Sequence, residues 1–351
     1  MIMDTINDAI KLCRIALSAR KLQEINYGKQ PTQVTLFWQL VVLSRYNKCT
    51  PLFTTFAGVW SALLAGANEI AKPDSLTQPA FVFRQTALCF LSAYTFCGAG
   101  MVWNDYVDRE IDAKVARTKD RPLASEKVTT IDAMLWMVLQ LLISLALVHK
   151  ILDGKDVWNH MLPVIVASIL YPLGKRASSR RLRVYPQYIR GFTIAWPAML
   201  GRAAIHGRHE AFDETASQCL PLCTLVFFWI VYLNTAHSYR DAAVDDRKAA
   251  RVHSFYTVAG RNFHRFLVAL VSPVVLCLPL YLLRFGSLWL WCSWMGVWCA
   301  TIASQLSQFD PNRPSSGSSV HKSNFVLGLW TVAACAGEVL LNDIKAHGLS
   351  W

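Results

Sequence analysis

Acidic residues are scarce in this chain. Its 351 residues hold 23 Asp and Glu against 35 Lys and Arg, and charged residues of both signs make up only 17% of it. That is too little charge, with too much apolar mass, for a disordered polymer. The ten cysteines are scattered, mostly inside apolar stretches, and none forms a CxxC pair. This excludes a disulfide scaffold or a zinc cluster as the organising device. Cys219 and Cys223 share a helix face, but two sulfurs without further ligands read as packing. There is no N-x-S/T sequon and no C-terminal lipidation box. Met1–Gln30 lacks an apolar core of the length a cleaved signal needs. Within it, Asp4–Leu22 predicts an amphipathic cytosolic helix suited to resting on a membrane surface.

What is abundant is apolar sequence: 54% of the residues are hydrophobic and 13 are Trp. They come in blocks, and windows of about 19 residues separate nine of them. The blocks are Pro51–Ala67, Pro79–Trp103, Ala133–Val148, Val157–Gly174, Tyr188–Ile205, Cys219–Thr235, Phe263–Leu283, Ser287–Ser304 and Asn324–Leu341. The pattern predicts an all-α, polytopic membrane protein with about nine transmembrane helices. The +12 charge supports the count. The head before block one and the loops after blocks two, four, six and eight carry 27 of the 35 basic residues, and the opposite side carries seven. The positive-inside rule puts the N-terminus and the even-numbered exits in the cytosol. Basic residues spread between membrane spans argue against nucleic acid as a partner and for a lipid bilayer. The expected organisation is a cytosolic segment over 1–34, a transmembrane domain over 35–343 and a short tail over 344–351.

Block two ends in Asn104, Asp105, Asp108 and Asp112. Spacings of three and four stack these side chains on one helix face. At about 6 Å and an effective dielectric of about 20, each carboxylate pair would repel by roughly 3 kcal/mol. A divalent cation removes that cost, and hard oxygen ligands suit Mg²⁺ sharing phosphate oxygens. Removing one carboxylate is accordingly expected to relieve repulsion. Block six ends in Asp241 and Asp245, one helical turn apart, with Asp246 beside them. Four helices separate the two clusters, so both are expected at one membrane face, where they could hold a pair of Mg²⁺ ions on one diphosphate. Arg117, Lys119 and Arg121 follow the first cluster, Lys175 and Arg176 follow block four, and Lys248 follows the second cluster. Arg forks and Lys point charges suit diphosphate oxygens. The aromatic residues Trp60, Trp103, Trp196, Trp229, Tyr232, Tyr239 and Trp289–Trp298 could wall an apolar cavity. Most of them read as interfacial anchors or lipid-facing packing.

Asn104-Asp105-x-x-Asp108-x-x-x-Asp112, followed by Arg117-Thr118-Lys119-Asp120-Arg121-Pro122-Leu123, resembles the first signature of the UbiA superfamily of intramembrane prenyltransferases. Tyr171-Pro172-Leu173-Gly174-Lys175-Arg176, then Tyr185-Pro186-Gln187 and Gly191 to Trp196, resembles its central region, and Arg45-Tyr46-Asn47-Lys48 its entry segment. The resemblance covers most of Arg45–Gly260 and is nearest in style to fungal enzymes that prenylate polyketide-derived aromatics. It implies nine helices around a central cavity with a cytosolic cap, a Mg²⁺-diphosphate site and an endoplasmic reticulum location. The second motif departs from the acceptor-using pattern. Arg240 stands where Gln is usual, three residues rather than two separate Asp241 from Asp245-Asp246, and Ala249-Ala250 and His253-Ser254 stand where a Gly and Lys-Ser would be.

The function expected is Mg²⁺-dependent ionisation of a prenyl diphosphate, farnesyl diphosphate by preference, with transfer to an aromatic acceptor. In that reading Asp105, Asp108, Asp112, Asp241 and Asp245 are catalytic as metal ligands, assisted by Asn104. Cyclisation of farnesyl diphosphate by a membrane terpene cyclase is the alternative, since both reactions break the same C–O bond. A transporter or channel would instead line a mid-membrane path with ionisable residues, whereas here they gather at helix exits on one side.

Overall fold

The computed structural model describes residues 33–176, 185–207, 210–242, 262–281, 285–310 and 314–347, and among these there is helix but no strand. In chain order the helices are α1 (Gln33–Leu43), α2 (Phe53–Ile70, entered through a 3-10 turn at Thr50–Leu52), α3 (Pro79–Asp112), α4 (Thr130–Ile151) and α5 (Val157–Gly174). Then come α6 (Pro186–Ala195), α7 (Pro197–His206), α8 (Phe212–Ala242), α9 (Phe263–Tyr281), α10 (Leu288–Gln308) and α11 (Pro314–Ala346). The amphipathic helix expected at Asp4–Leu22 lies outside the described residues.

Every apolar block of the sequence falls on helix, but the blocks are not equal. Among the described residues six helices are long and apolar enough to cross a membrane: α2 with its entry turn, α3, α4, α5, α8 and α11. The fifth block is two ten-residue helices, α6 and α7, meeting at Trp196-Pro197. Pro197 has no N–H to give to the preceding turn, and its ring disfavours an unbroken helix. α9 shows an apolar stretch over His264–Leu276 among its described side chains, and α10 is diluted by tryptophan, serine and glutamine. For these three the count of nine crossings rests on the sequence pattern alone.

The longest helix positions the site. α3 has 34 residues, about 51 Å at 1.5 Å per residue, against a hydrocarbon layer of about 30 Å. Its last turns, from Asn104 to Asp112, extend beyond the apolar stretch. Thr118 then stops the chain from running on: its hydroxyl donates to the Asp112 carbonyl at 3.0 Å, meeting one of the unsatisfied helix-end acceptors. The chain turns back, and α4 begins where the Thr129 side chain accepts the Asp132 N–H at 3.1 Å, an N-cap contact.

The core holds a surprise relative to the sequence. Trp60, Trp229, Trp294 and Trp298 are fully buried, packed on one another with ring centroids 5.3–6.2 Å apart. They are neither interfacial nor lipid-facing. Each indole N–H has a partner: Gly328 O for Trp60, Asn324 for Trp229, and the shared Thr331 hydroxyl for Trp294 and Trp298. A buried indole N–H usually finds such a partner. Their rings fill the bundle between α2, α8, α10 and α11, so they are core.

α2 and α7 pack backbone to backbone through Gly58 and Gly201. A Cβ at Gly201 would overlap the Gly58 carbonyl oxygen, with the Ser61 Cβ only 2.8 Å away. Small residues allow this approach between apolar helices. Gly201→Val should cost about 1–3 kcal/mol, read as a lower thermal midpoint of the detergent-purified protein. An unchanged midpoint would show that the two helices separate freely.

Candidate active site

The last turns of α3 carry three carboxylates at a helix C-terminus, the end where the helix dipole disfavours negative charge. Four cations converge on them. Arg121, from the loop after α3, bonds Asp105 at 3.0 Å and Asp112 at 2.6 Å. Lys175, at the end of α5, bonds Asp108 at 2.8 Å and also donates to the Asn104 amide oxygen. Arg176 reaches Asp108 at 3.1 Å and the Val107 carbonyl at 2.9 Å.

Arg45 is the fourth, and it holds Asp105 through both carboxylate oxygens at 2.8 and 2.7 Å. The sequence reading counted Arg45 as a flanking charge and missed this role. Its backbone is unusual. α1 ends with Arg45 N–H bonded to Val42 O and Tyr46 N–H to Val41 O, the Schellman pattern that ordinarily puts glycine at the left-handed position. Here that position, φ 64°, is taken by Arg45, at a cost of about 1–2 kcal/mol. The same side chain also donates to the Leu43 carbonyl at 2.8 Å, closing the helix end. An arginine in glycine's place was the signal the sequence offered, but only once the end of α1 was known.

This geometry corrects the electrostatic expectation. The aspartates do not stand as unrelieved repelling charges: four cations face three carboxylates, leaving an excess of positive charge. Asp105 is 1% exposed and bonded on both oxygens, so deleting it strands two half-buried guanidinium groups rather than relieving repulsion. Burial works to lower the Arg121 pKa, but the carboxylates of Asp105 and Asp112 outweigh it and hold Arg121 above its ordinary value.

Of the other residues singled out in the sequence, Arg117 and Lys119 are exposed on the loop after α3. Asp241 sits in the last turn of α8, where only the backbone is described. Asp245 and Lys248 lie outside the described residues. The joining of the two aspartate clusters is therefore left to the proposal below.

Beneath the cluster lies a cavity lined by Thr54 of α2, Phe96, Cys97, Gly100, Met101 and Asn104 of α3, and Ser168 and Tyr171 of α5. Arg190, Thr193 and Ile194 of α6 complete the wall. The cavity is mainly apolar, shares Asn104 with the charged cluster and excludes the four-tryptophan core. The sequence reading looked for this wall among the aromatics, but small and flexible residues supply most of it.

The UbiA prenyltransferase family model matches residues 51–341. The chain belongs to that family. Among UbiA relatives, it is 60% identical to a polyprenyl transferase of Colletotrichum higginsianum over 87% of this chain and 96% of the relative. It is 61% identical to one of Metarhizium anisopliae over 80% and 94%, and 55% identical to one of Macrophomina phaseolina over 89% and 98%. The fold matches a solved UbiA homolog from Aeropyrum pernix K1 with a TM-score of 0.64 at 17% identity, covering 80% of this chain and 96% of that one. It also matches a UbiA homolog from Archaeoglobus fulgidus solved with GPP and Mg²⁺, with a TM-score of 0.51 at 15% identity over 84% and 99%. The chain is thus a membrane prenyltransferase of the UbiA type.

The donor set fits magnesium. Asn104, Asp108 and Asp112 present hard oxygens at successive turns of α3, yet among the described residues no three acidic, His or Cys side chains converge into a ready metal cage. Mg²⁺ keeps several waters and is held through one or two carboxylates plus substrate phosphates, which is what a spaced row of carboxylates allows.

Proposed function

We propose that this UbiA enzyme ionises a prenyl diphosphate, farnesyl diphosphate by preference, at the charged cluster and transfers the prenyl group to an aromatic acceptor held in the cavity below. The observation that carries this reading is the junction itself: an excess of cations around hard carboxylate ligands, sharing Asn104 with a mainly apolar cavity. Asn104, Asp108 and Asp112 would hold one Mg²⁺, and Asp241 and Asp245 a second. When bound, magnesium supplies positive charge at the departing diphosphate oxygens.

The chain's own residues do the rest. Lys175 and Arg176, with Arg121 behind them, bind the diphosphate anion as its negative charge grows, and Arg117, Lys119 and Lys248 extend that field over the cap. Preorganised cations aimed at developing charge are the largest catalytic contribution available to such a site. Asp105 is a positioning residue in this reading, because it is 1% exposed and held between Arg45 and Arg121, whereas the cations on both oxygens of Asp108, Lys175 and Arg176, are the ones proposed to turn to the diphosphate. Phe96, Met101 and Ile194 exclude water from the allylic cation. In this reading the cluster faces the cytosol from the endoplasmic reticulum membrane, and the basic residues on the loops of that side support the orientation.

Names of relatives sharing up to 61% identity speak for transfer rather than cyclisation, despite the altered second motif. The test is an incubation with farnesyl diphosphate and Mg²⁺ but no acceptor. A transferase gives only slow release of farnesol, while a cyclic hydrocarbon formed at enzymatic rates would overturn the transfer reading.

Gly100 tests the cavity. A Cβ there meets nothing within 4 Å, so Gly100→Trp should fill the space one turn below Asn104 without disturbing the fold. Turnover with every prenyl diphosphate should fall at least tenfold at an unchanged thermal midpoint. Full turnover would place the prenyl chain elsewhere.

A further inference from the structure

Four cations of the site are spoken for by aspartates; a fifth is not. Arg190 projects from α6 into the cavity wall, and its Nε is buried without a hydrogen-bond partner. Its guanidinium lies close to the Tyr171 phenol and the Cys97 thiol. No carboxylate pairs with it among the described residues. A cation in that setting is costly unless something anionic joins it, and the other residues of the cavity wall are uncharged, among them Phe96, Met101 and Asn104.

Two anions enter this site in the proposed reaction, the diphosphate and any ionised acceptor. The cations available to them have different partners. Lys175 stands on the Tyr171 ring at 4.5 Å and bonds Asp108 and Asn104 on one side of it, while Arg190 lies at the phenol. Arg190 thus bonds the Tyr171 phenol and lines the cavity, and among the described residues it pairs with none of the aspartates around which a diphosphate would gather. Resting on the transfer reading above, we infer that Arg190 is the acceptor anchor, and that the acceptor class is an acidic phenol or enol bound as its oxyanion.

The chemistry favours the ionised form. An oxyanion held by a guanidinium delocalises its charge onto the adjacent ring carbon, which becomes the nucleophile toward C1 of the prenyl cation. The C1–O electron pair leaves with the diphosphate, and the carbon electron pair of the phenolate or enolate forms the new C–C bond. The proton left on that carbon passes to the released diphosphate or to water as the ring regains conjugation. Planar fork geometry suits such an oxyanion better than a lysine point charge does.

The test uses the detergent-purified full chain as wild type, Arg190→Gln and Arg190→Lys. The probe pair is 4-nitrophenol, ionised at mildly alkaline pH, and its neutral methyl ether 4-nitroanisole, titrated by absorbance or competition. Wild type should bind the phenolate at least tenfold more tightly than the ether, Arg190→Gln should erase the difference, and Arg190→Lys should restore part of it. The KM for farnesyl diphosphate in acceptor-free diphosphate release should stay within about twofold in all three. Absence of any phenolate preference in wild type, or its survival in Arg190→Gln, would overturn the assignment. So would a tenfold rise in the farnesyl diphosphate KM, which would give Arg190 to the diphosphate. If wild type released no diphosphate from any prenyl substrate, the transfer reading would fall, while the phenolate titration would still report on Arg190.

Discussion

Asp108→Asn should lower the rate of diphosphate release from farnesyl diphosphate by at least a hundredfold while leaving the protein folded and in the membrane. Asparagine keeps the shape and an acceptor oxygen for Lys175, now at 2.8 Å, but removes the charge a hard cation needs. Loss of one preorganised electrostatic contact at a developing charge costs about 10²–10³ in rate, and here a proposed metal ligand goes with it. The partners Lys175 and Arg176 are 21% and 32% exposed, so solvent can take up the charge left behind. The two readouts are the rate of diphosphate release and the elution profile in detergent. A monodisperse variant with at least a third of wild-type activity would remove Asp108 from the chemistry.

Asp105→Ala should fail differently, through stability. Its carboxylate is buried between Arg45 and Arg121, and breaking a buried pair by deleting one partner costs about 3–5 kcal/mol. Arg45 moreover sits in a left-handed conformation that the ion pair helps to hold. The expected result is a sharply reduced thermal midpoint and poor yield, with Arg45→Ala producing a similar loss. The double variant should be less destabilised than the sum of the two singles, because no stranded partner remains between them. Strict additivity would mean that Arg45 and Asp105 are not coupled. A stable, inactive Asp105→Ala would return that residue to the metal.

These two aspartates, three residues apart, show how far the sequence could be read. Local spacing made the cluster legible: positions 104, 108 and 112 share a face on any helix, and an apolar block directly before them placed that face at a membrane exit. What spacing could not show was who answers the charges. Arg45 is 60 residues from Asp105, and Lys175 is 67 from Asp108, so charges that looked repulsive along the chain are neutralised across it. Arg190 was hidden for the same reason, counted among loop cations until α6 turned it toward Tyr171. The four core tryptophans were misread because hydropathy does not say which face of a helix is covered, whereas Trp289 is exposed as expected. Trp294 and Trp298, one turn apart, did carry a hint of a shared buried face. The break at Trp196-Pro197 was also on view, in the one residue that cannot donate to the previous turn. The second aspartate motif stays where the sequence left it, with Asp241 on helix and Asp245 outside the described residues.

The central claim is that the cluster at the end of α3 ionises prenyl diphosphates with magnesium. The most direct measurement is diphosphate released from geranyl, farnesyl and geranylgeranyl diphosphate by the detergent-purified full chain, supplied with a mixture of acidic phenols as acceptors. It is made with Mg²⁺, after chelation, and after Mg²⁺ is restored, with Asp108→Asn alongside. The account predicts release from at least one substrate that stops on chelation, returns with Mg²⁺, and is lost in Asp108→Asn under every condition. Release that persists after chelation, or that Asp108→Asn sustains, would contradict it.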